Sequence, residues 1–186
     1  VGKKTAFRYA LHFLDSSQEE NTGFAETLNT LKQNIKICQI CKSPNDDNVC
    51  SICNNHGRNK NQICVIESYK DLVAIENTKQ YNGVYHVLGG VISPIDGIGP
   101  DKLTFSALLE RIRDNENTVE LIMALNPTIE GDTTIYYLTN LTKTMNVKIT
   151  TISRGVSFGS DLEYTDDLTL GRSIQARQPY EQLINK

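Results

Sequence analysis

Apolar positions along this chain follow two different periods, and the change falls near residue 63. Before it, Phe7, Ala10 and Leu14 recur at helical spacing, with Lys4, Arg8 and His12 on another face at i, i+4. A second amphipathic helix is predicted from near Asn21-Thr22-Gly23, with Phe24, Leu28, Leu31 and Ile35 along one side. From Ile63 onward, short apolar runs alternate with helical stretches. Strands are predicted at Ile63–Glu67, Val84–Leu88, Val119–Leu125 and Val147–Ser153. Helices are predicted at Tyr69–Glu76, Thr104–Arg113 and Thr133–Met145, with a loop at Gly89–Pro100. Such alternation implies an α/β fold whose parallel sheet carries helices on both faces. A last helix is expected over Thr165–Ala176, with Thr165 as its cap and Asp166 and Asp167 in its first turn.

Between the two regimes lie Cys38-x2-Cys41 and Cys50-x2-Cys53. Two such pairs can converge on one tetrahedral zinc ion, each pair forming a tight knuckle of thiolate ligands. The residues between them, Ser43, Pro44 and Asn45 to Asn48, are turn formers that let the chain double back. The spacing suits a metal better than a disulfide framework or four unrelated thiols. With sulfur at all four positions the ion has a structural role and no open position. His56, three residues past Cys53, is not needed as a ligand, and Cys64 reads as a buried strand residue.

The 186 residues suffice for one real core plus a small module, and their net charge is only −3. Its distribution is uneven: residues 1–64 carry +2 and residues 65–186 carry −5. The first fourteen residues hold Lys3, Lys4 and Arg8 and no acidic side chain. A basic tip on an acidic body points to an anionic partner at one end. No run is apolar enough to span a bilayer and no signal-peptide pattern opens the chain; the cysteine usage suggests a reducing cytosol.

Three acidic residues stand where strands should end: Glu67, then Glu130 and Asp132 within Asn126-Pro127-Thr128-Ile129-Glu130-Gly131-Asp132. Ligands of open parallel sheets bind beyond the carboxyl ends of the strands, and grouped carboxylates there suit Mg²⁺. Equally, Glu130 and Asp132 can begin a helix, where negative charge opposes the dipole. Gly89-Gly90 and Asp96-Gly97-Ile98-Gly99-Pro100 match no dinucleotide or GKS/T phosphate loop, and the three histidines form no nucleophile pattern. At the start, Val1-Gly2-x-x-x-Ala6 resembles the second half of a helix-hairpin-helix element. There the glycine admits a DNA phosphate to the helix N-terminus, and nearby lysines bind it without reading sequence. The alternative is a basic, solvated helix end.

Taken with Ile63-Cys64-Val65-Ile66-Glu67 and Gly159-Ser160-Asp161-Leu162-Glu163-Tyr164, these stretches resemble the bacterial recombination mediator family RecR over essentially the whole chain. The resemblance implies four segments: a helix-hairpin-helix region (1–36), a four-cysteine zinc finger (37–57), a Rossmann-like Toprim domain (58–154) and a C-terminal oligomerisation segment (155–186). It implies a non-enzymatic, cytoplasmic and nucleoid-associated protein, forming a dimeric or tetrameric ring that works with RecO and RecF. That assembly promotes RecA loading on gapped single-stranded DNA. Lys4 and Arg8, with Lys3 adjacent, match the DNA-contacting hairpin. Cys38, Cys41, Cys50 and Cys53 match the zinc ligands. Glu67, Glu130 and Asp132 match the acidic Toprim edge, which can hold Mg²⁺ or face a partner.

The chain departs from the catalytic Toprim pattern, having Glu130-Gly131-Asp132 where enzymes place Asp-x-Asp, and no tyrosine in a nucleophile setting. The first half of the hairpin does not precede Val1, so the sequence reads as an N-terminally incomplete member. A Mg²⁺-dependent nuclease or strand-cleaving enzyme is the alternative function, and a purely structural zinc module a third.

Overall fold

The computed structural model describes residues 1–177 and 179. The part of the expected C-terminal segment at 178 and 180–186 lies outside the described residues. The chain divides into two compact units, residues 1–57 and 58–186.

In the first unit, α1 (Lys3–Asp15) follows Gly2 as its N-cap, and α2 (Gln18–Asn34) follows Ser17. The second helix starts before the expected Asn21 because Ser17 and Glu20 form a capping box. The Glu20 amide donates to the Ser17 hydroxyl at 3.2 Å, and the Glu20 carboxylate accepts from the Ser17 amide at 3.0 Å. Asn21 Nδ2 donates to the Phe13 carbonyl at 2.9 Å, and the Phe13 and Phe24 rings stand 5.0 Å apart, fixing the turn between the helices. The remaining apolar stripe is exposed within the unit: Phe7, Leu14, Leu28 and Leu31 are each at least half open to solvent. A two-stranded antiparallel ribbon follows, β1 (Lys36–Ile37) with β2 (Pro44–Asn45), then one turn of helix, α3 (Ser51–Asn54). This ribbon is too short for periodicity to announce it.

The second unit is an α/β layer. Its strands are β3 (Asn59–Ile66), β4 (Gly83–Val87), β5 (Val119–Met123) and β6 (Val147–Thr151), all parallel in the order β4-β3-β5-β6. The helices are α4 (Tyr69–Asn77), α5 (Phe105–Arg113), α6 (Ile129–Leu141) and α7 (Asp167–Gln175). Neighbouring residues on β4 show that both faces are covered, as the alternation of elements predicts. Tyr85 donates its hydroxyl to Glu76 of α4 at 2.6 Å. His86, pointing the other way, meets the Thr104 hydroxyl at the start of α5 at 2.9 Å. Phe105 of α5 then packs on Tyr137 of α6, centroids 5.3 Å apart. The core is the apolar sheet itself, with Ile63, Val65, Ile66, Val84, Leu121 and Met123 almost fully buried.

Three boundaries differ from expectation, each for a local reason. The first strand of the sheet begins at Asn59, inside a polar stretch, where the Asn59 amide donates to the Asn82 carbonyl at 2.9 Å. Helix α6 begins four residues early because the Thr128 hydroxyl accepts from the Gly131 amide at 3.0 Å. Asp166, not Thr165, caps α7, accepting from the Thr169 amide at 2.9 Å.

Arg58 anchors the outer edge of the sheet. Its guanidinium forks onto Glu76 at 2.8 and 2.6 Å and also donates to the carbonyls of Tyr81 and Gly83. Arg58→Ala leaves a largely buried carboxylate and two carbonyls without this donor. We expect a loss of about 2–3 kcal/mol in urea unfolding. The Arg58 guanidinium, then the Tyr85 hydroxyl, hold the Glu76 carboxyl below the usual carboxylate range. A depressed folded-state value means that this stabilisation is complete at neutral pH and lost as pH falls through that value. The wild-type advantage over Arg58→Ala should therefore shrink in strongly acidic buffer, and an advantage that grew there would contradict the assignment.

Candidate metal centre, acidic edge and basic helix

In the first unit, β1 and β2 bring Cys38 and Cys41 to one side of a knuckle while α3 brings Cys50 and Cys53 to the other. The knuckle closes because Lys42 adopts a left-handed φ of 63°, letting the Cys38 amide donate to the Ser43 carbonyl at 2.8 Å. All four cysteines are buried, and their sulfurs lie within 4.8 Å of one another. Cys41 Sγ and Cys50 Sγ are 3.6 Å apart, well beyond an S–S bond of about 2.05 Å. Amides aim at the sulfurs: Cys50 N–H reaches Cys38 Sγ and Cys53 N–H reaches Cys50 Sγ, each at 3.4 Å. The Ser43 hydroxyl sits 3.1 Å from Cys41 Sγ.

Among these sulfurs the Cys41 thiol is favoured as a thiolate. A hydrogen bond from Cys53 draws the Cys41 thiol down to about 4, helped by Ser43. That first negative charge works against a second: the Cys53 thiol is pushed up, first by its bond to Cys41, and the Cys50 thiol is pushed up by burial. Four buried sulfurs within 4.8 Å of one another, with the Cys50 and Cys53 thiols held against ionisation, suit one divalent cation. The cluster can thus hold a metal ion, with every protein position a sulfur. Ser43 and the N–H···S bonds are the part of this centre that spacing does not reveal.

In the second unit, the strand order reverses between β3 and β5, and there the chain meets itself beyond the carboxyl ends. Glu67, just past β3, accepts from the Asn126 amide at 2.7 Å and from Asn126 Nδ2 at 3.0 Å. Glu130 and Asp132 both lie in the first turn of α6. Asp132 is ion-paired, 2.7 Å from Arg154 and 3.7 Å from Arg172 of α7. These arginines, Arg154 first, hold its carboxyl below the ordinary range. Among the described residues, the group of three or more potential ligands with converging atoms is the cysteine set. Glu67, Glu130 and Asp132 share an edge without forming such a group. Asn126, Arg154 and Arg172, which engage two of these acids, lie far from them in sequence.

Gly131 makes this turn possible. A Cβ there would run directly into the Asn126 carbonyl oxygen. Gly131→Ala must shift the Asn126 backbone or the start of α6, and we expect destabilisation of about 2 kcal/mol or more in urea unfolding. An unchanged midpoint would refute this close approach.

The predicted basic residues all fall on the exposed start of α1. Lys3 and Lys4 are in its first turn, Arg8 lies one turn on, and no acidic residue occupies the first turn. Gly2 has an ordinary φ of −71°, and a Cβ added to it would meet nothing within 4 Å. Backbone geometry therefore does not demand the glycine; the space in front of it is open. Arg8 and His12, with Thr5 and Tyr9, line a shallow pocket of about 330 Å³.

Two known families match stretches of the second unit. The Toprim domain family matches residues 61–153, and the family described as RecR, C-terminal, matches residues 155–178. Proteins named recombination protein RecR are similar over nearly the full length. That of Cytophaga hutchinsonii is 46% identical over 181 residues, 97% of this chain and 88% of its own. That of Amoebophilus asiaticus is 49% identical over 180 residues, 97% of this chain and 90% of its own. That of Flavobacterium johnsoniae is 46% identical over 181 residues, 97% and 87% respectively. With a Toprim α/β sheet, a four-cysteine cluster and relatives of this similarity, the chain belongs to the RecR family of recombination proteins.

Proposed function

We propose that the protein is a DNA-binding recombination mediator that helps load RecA onto gapped single-stranded DNA, together with RecO and RecF. The observation that carries this reading is the start of α1: an open glycine at a helix N-terminus, flanked by exposed Lys3, Lys4 and Arg8. Helix N–H groups and flanking cations bind phosphate without reading bases, which suits a protein that acts at gaps of any sequence.

The other assignments follow from this role. Cys38, Cys41, Cys50 and Cys53 hold Zn²⁺, which staples the residues after α2. The exposed apolar stripe of Phe7, Leu14, Leu28 and Leu31 supports self-association into a ring, in which several weak basic tips act together. We read residues 1–36 as the hairpin region, 37–57 as the zinc finger, 58–154 as the Toprim domain and 155–186 as the oligomerisation segment. The Glu67, Glu130 and Asp132 edge serves a protein partner such as RecO in preference to Mg²⁺, since two of its three carboxylates already have tight partners. Among the described residues no helix is long and apolar enough to cross a membrane. We place the protein with the DNA, in the bacterial cytoplasm at the nucleoid.

The test is binding to gapped DNA in Mg²⁺, with and without RecO, followed by inspection of the recovered DNA. Intact DNA, bound more tightly when RecO is present, is the expected result. Cut DNA would move the function to the alternative, a Toprim strand-cleaving enzyme.

A further inference from the structure

We infer that Arg154 and Arg172 form a built-in counter-cation at the Toprim edge, taking the place that a divalent metal ion would need. This rests on the reading of that edge as non-catalytic and gives it a physical cause. The donor set does not fit Mg²⁺. A magnesium site of this kind needs one or two carboxylates free to turn toward the ion along with several waters. Here Asp132 directs Oδ1 to Arg154 at 2.7 Å and Oδ2 toward Arg172 at 3.7 Å, so each oxygen faces a guanidinium. Both oxygens of Glu67 accept from Asn126. Glu130 alone is left, and it stands in the same helical turn as an Asp132 already paired with two arginines, whose positive charge opposes a cation there.

The two arginines arrive from a part of the chain that follows the sheet. Arg154 lies just past β6 and Arg172 on α7, and both line a cleft of about 830 Å³ with Ser153, Gly155 and Ser173. Arg172 falls within the stretch matched by the RecR C-terminal family, whereas Asp132 belongs to the Toprim match. The same contact therefore does two things. It neutralises the edge, and it fastens the C-terminal segment to the first turn of α6.

Manganese binding to the full-length, zinc-loaded protein tests this, read by the paramagnetic resonance signal of free Mn²⁺. Wild type should bind no Mn²⁺ in an Asp132-dependent way. Arg154→Gln with Arg172→Gln should bind it at least roughly tenfold more tightly, the consequence of removing two neighbouring positive charges. A second measurement holds even where the double variant folds poorly: Asp132→Asn should speed amide exchange across 167–175 while leaving β3 to β5 protected. Wild-type Mn²⁺ binding that disappears in Asp132→Asn would overturn the inference. So would a folded double variant with no gain, or unchanged exchange in α7. None of these outcomes bears on DNA binding by α1, so the inference can fail while the mediator reading stands.

Discussion

Cys41→Ser should release the metal and unfold the region around it, the largest effect expected of any single substitution in the chain. The reason is how little else is buried there among the described residues. The buried cluster in this part of the first unit consists of the four cysteines, with only Val49 and Ile52 packed against them. Helix α1 has no buried residue of its own. A ribbon of two residues per strand and a four-residue helix cannot hold themselves together. Closed four-thiolate zinc sites in small modules provide on the order of 10–16 kcal/mol at neutral pH, far more than such elements supply. Wild type should carry about one zinc per chain and Cys41→Ser essentially none. Amide exchange over 36–54 should become fast in the variant while the α/β unit keeps its protection. Because binding needs deprotonated sulfur, zinc retention should also weaken on acidification. Retained zinc with unaltered exchange in Cys41→Ser would show that these sulfurs do not hold the ion.

The second large effect is on DNA. Lys4→Ala with Arg8→Ala should remove binding to gapped DNA at about 0.15 M salt, while zinc content and unfolding stay as in wild type. Both side chains are exposed on one face of α1, so neither change disturbs packing. Removing one phosphate-binding cation lowers the slope of log affinity against log salt by roughly 0.7–0.9. Two such cations per subunit, multiplied around the ring proposed above, should turn a modest local change into loss of the complex. Affinity and salt slope that match wild type would exclude the start of α1 as the DNA-binding element.

Much of this is legible in the residues, for identifiable reasons. The sheet can be read because β3 and β4 carry the short apolar runs that a parallel sheet requires, and β5 and β6 follow them at the spacing of strand–helix alternation. The metal centre can be read because two CxxC pairs at that separation have few other uses. Lys4 and Arg8 can be placed together because helical geometry puts i and i+4 on one face. What escapes depends on partners distant in sequence or on single hydrogen bonds. Asn59 reads as loop because its strand character comes from pairing beyond the apolar run. Helix α6 starts ahead of its periodic stretch because the Thr128 cap, one residue after a proline, outweighs the unpromising Thr-Ile-Glu-Gly sequence. The acidic residues are legible as an edge, but their occupancy is not. Asn126 lies 59 residues from Glu67, and Arg154 and Arg172 lie in segments that no local pattern connects to Asp132. The apolar stripe of α1 and α2 teaches the opposite lesson. Periodicity marks a face to be covered but does not say whether the chain itself covers it.

The central claim is that the protein acts by helping a recombinase onto gapped DNA and not by cutting it. The most direct measurement follows RecA loading on gapped DNA coated with single-strand-binding protein, read as the lag before DNA-dependent ATP hydrolysis. With RecO present, the full-length protein should shorten that lag and leave the DNA intact, and Lys4→Ala with Arg8→Ala should restore it. An unchanged lag, with Mg²⁺-dependent breaks that vanish in Glu130→Ala, would contradict the account.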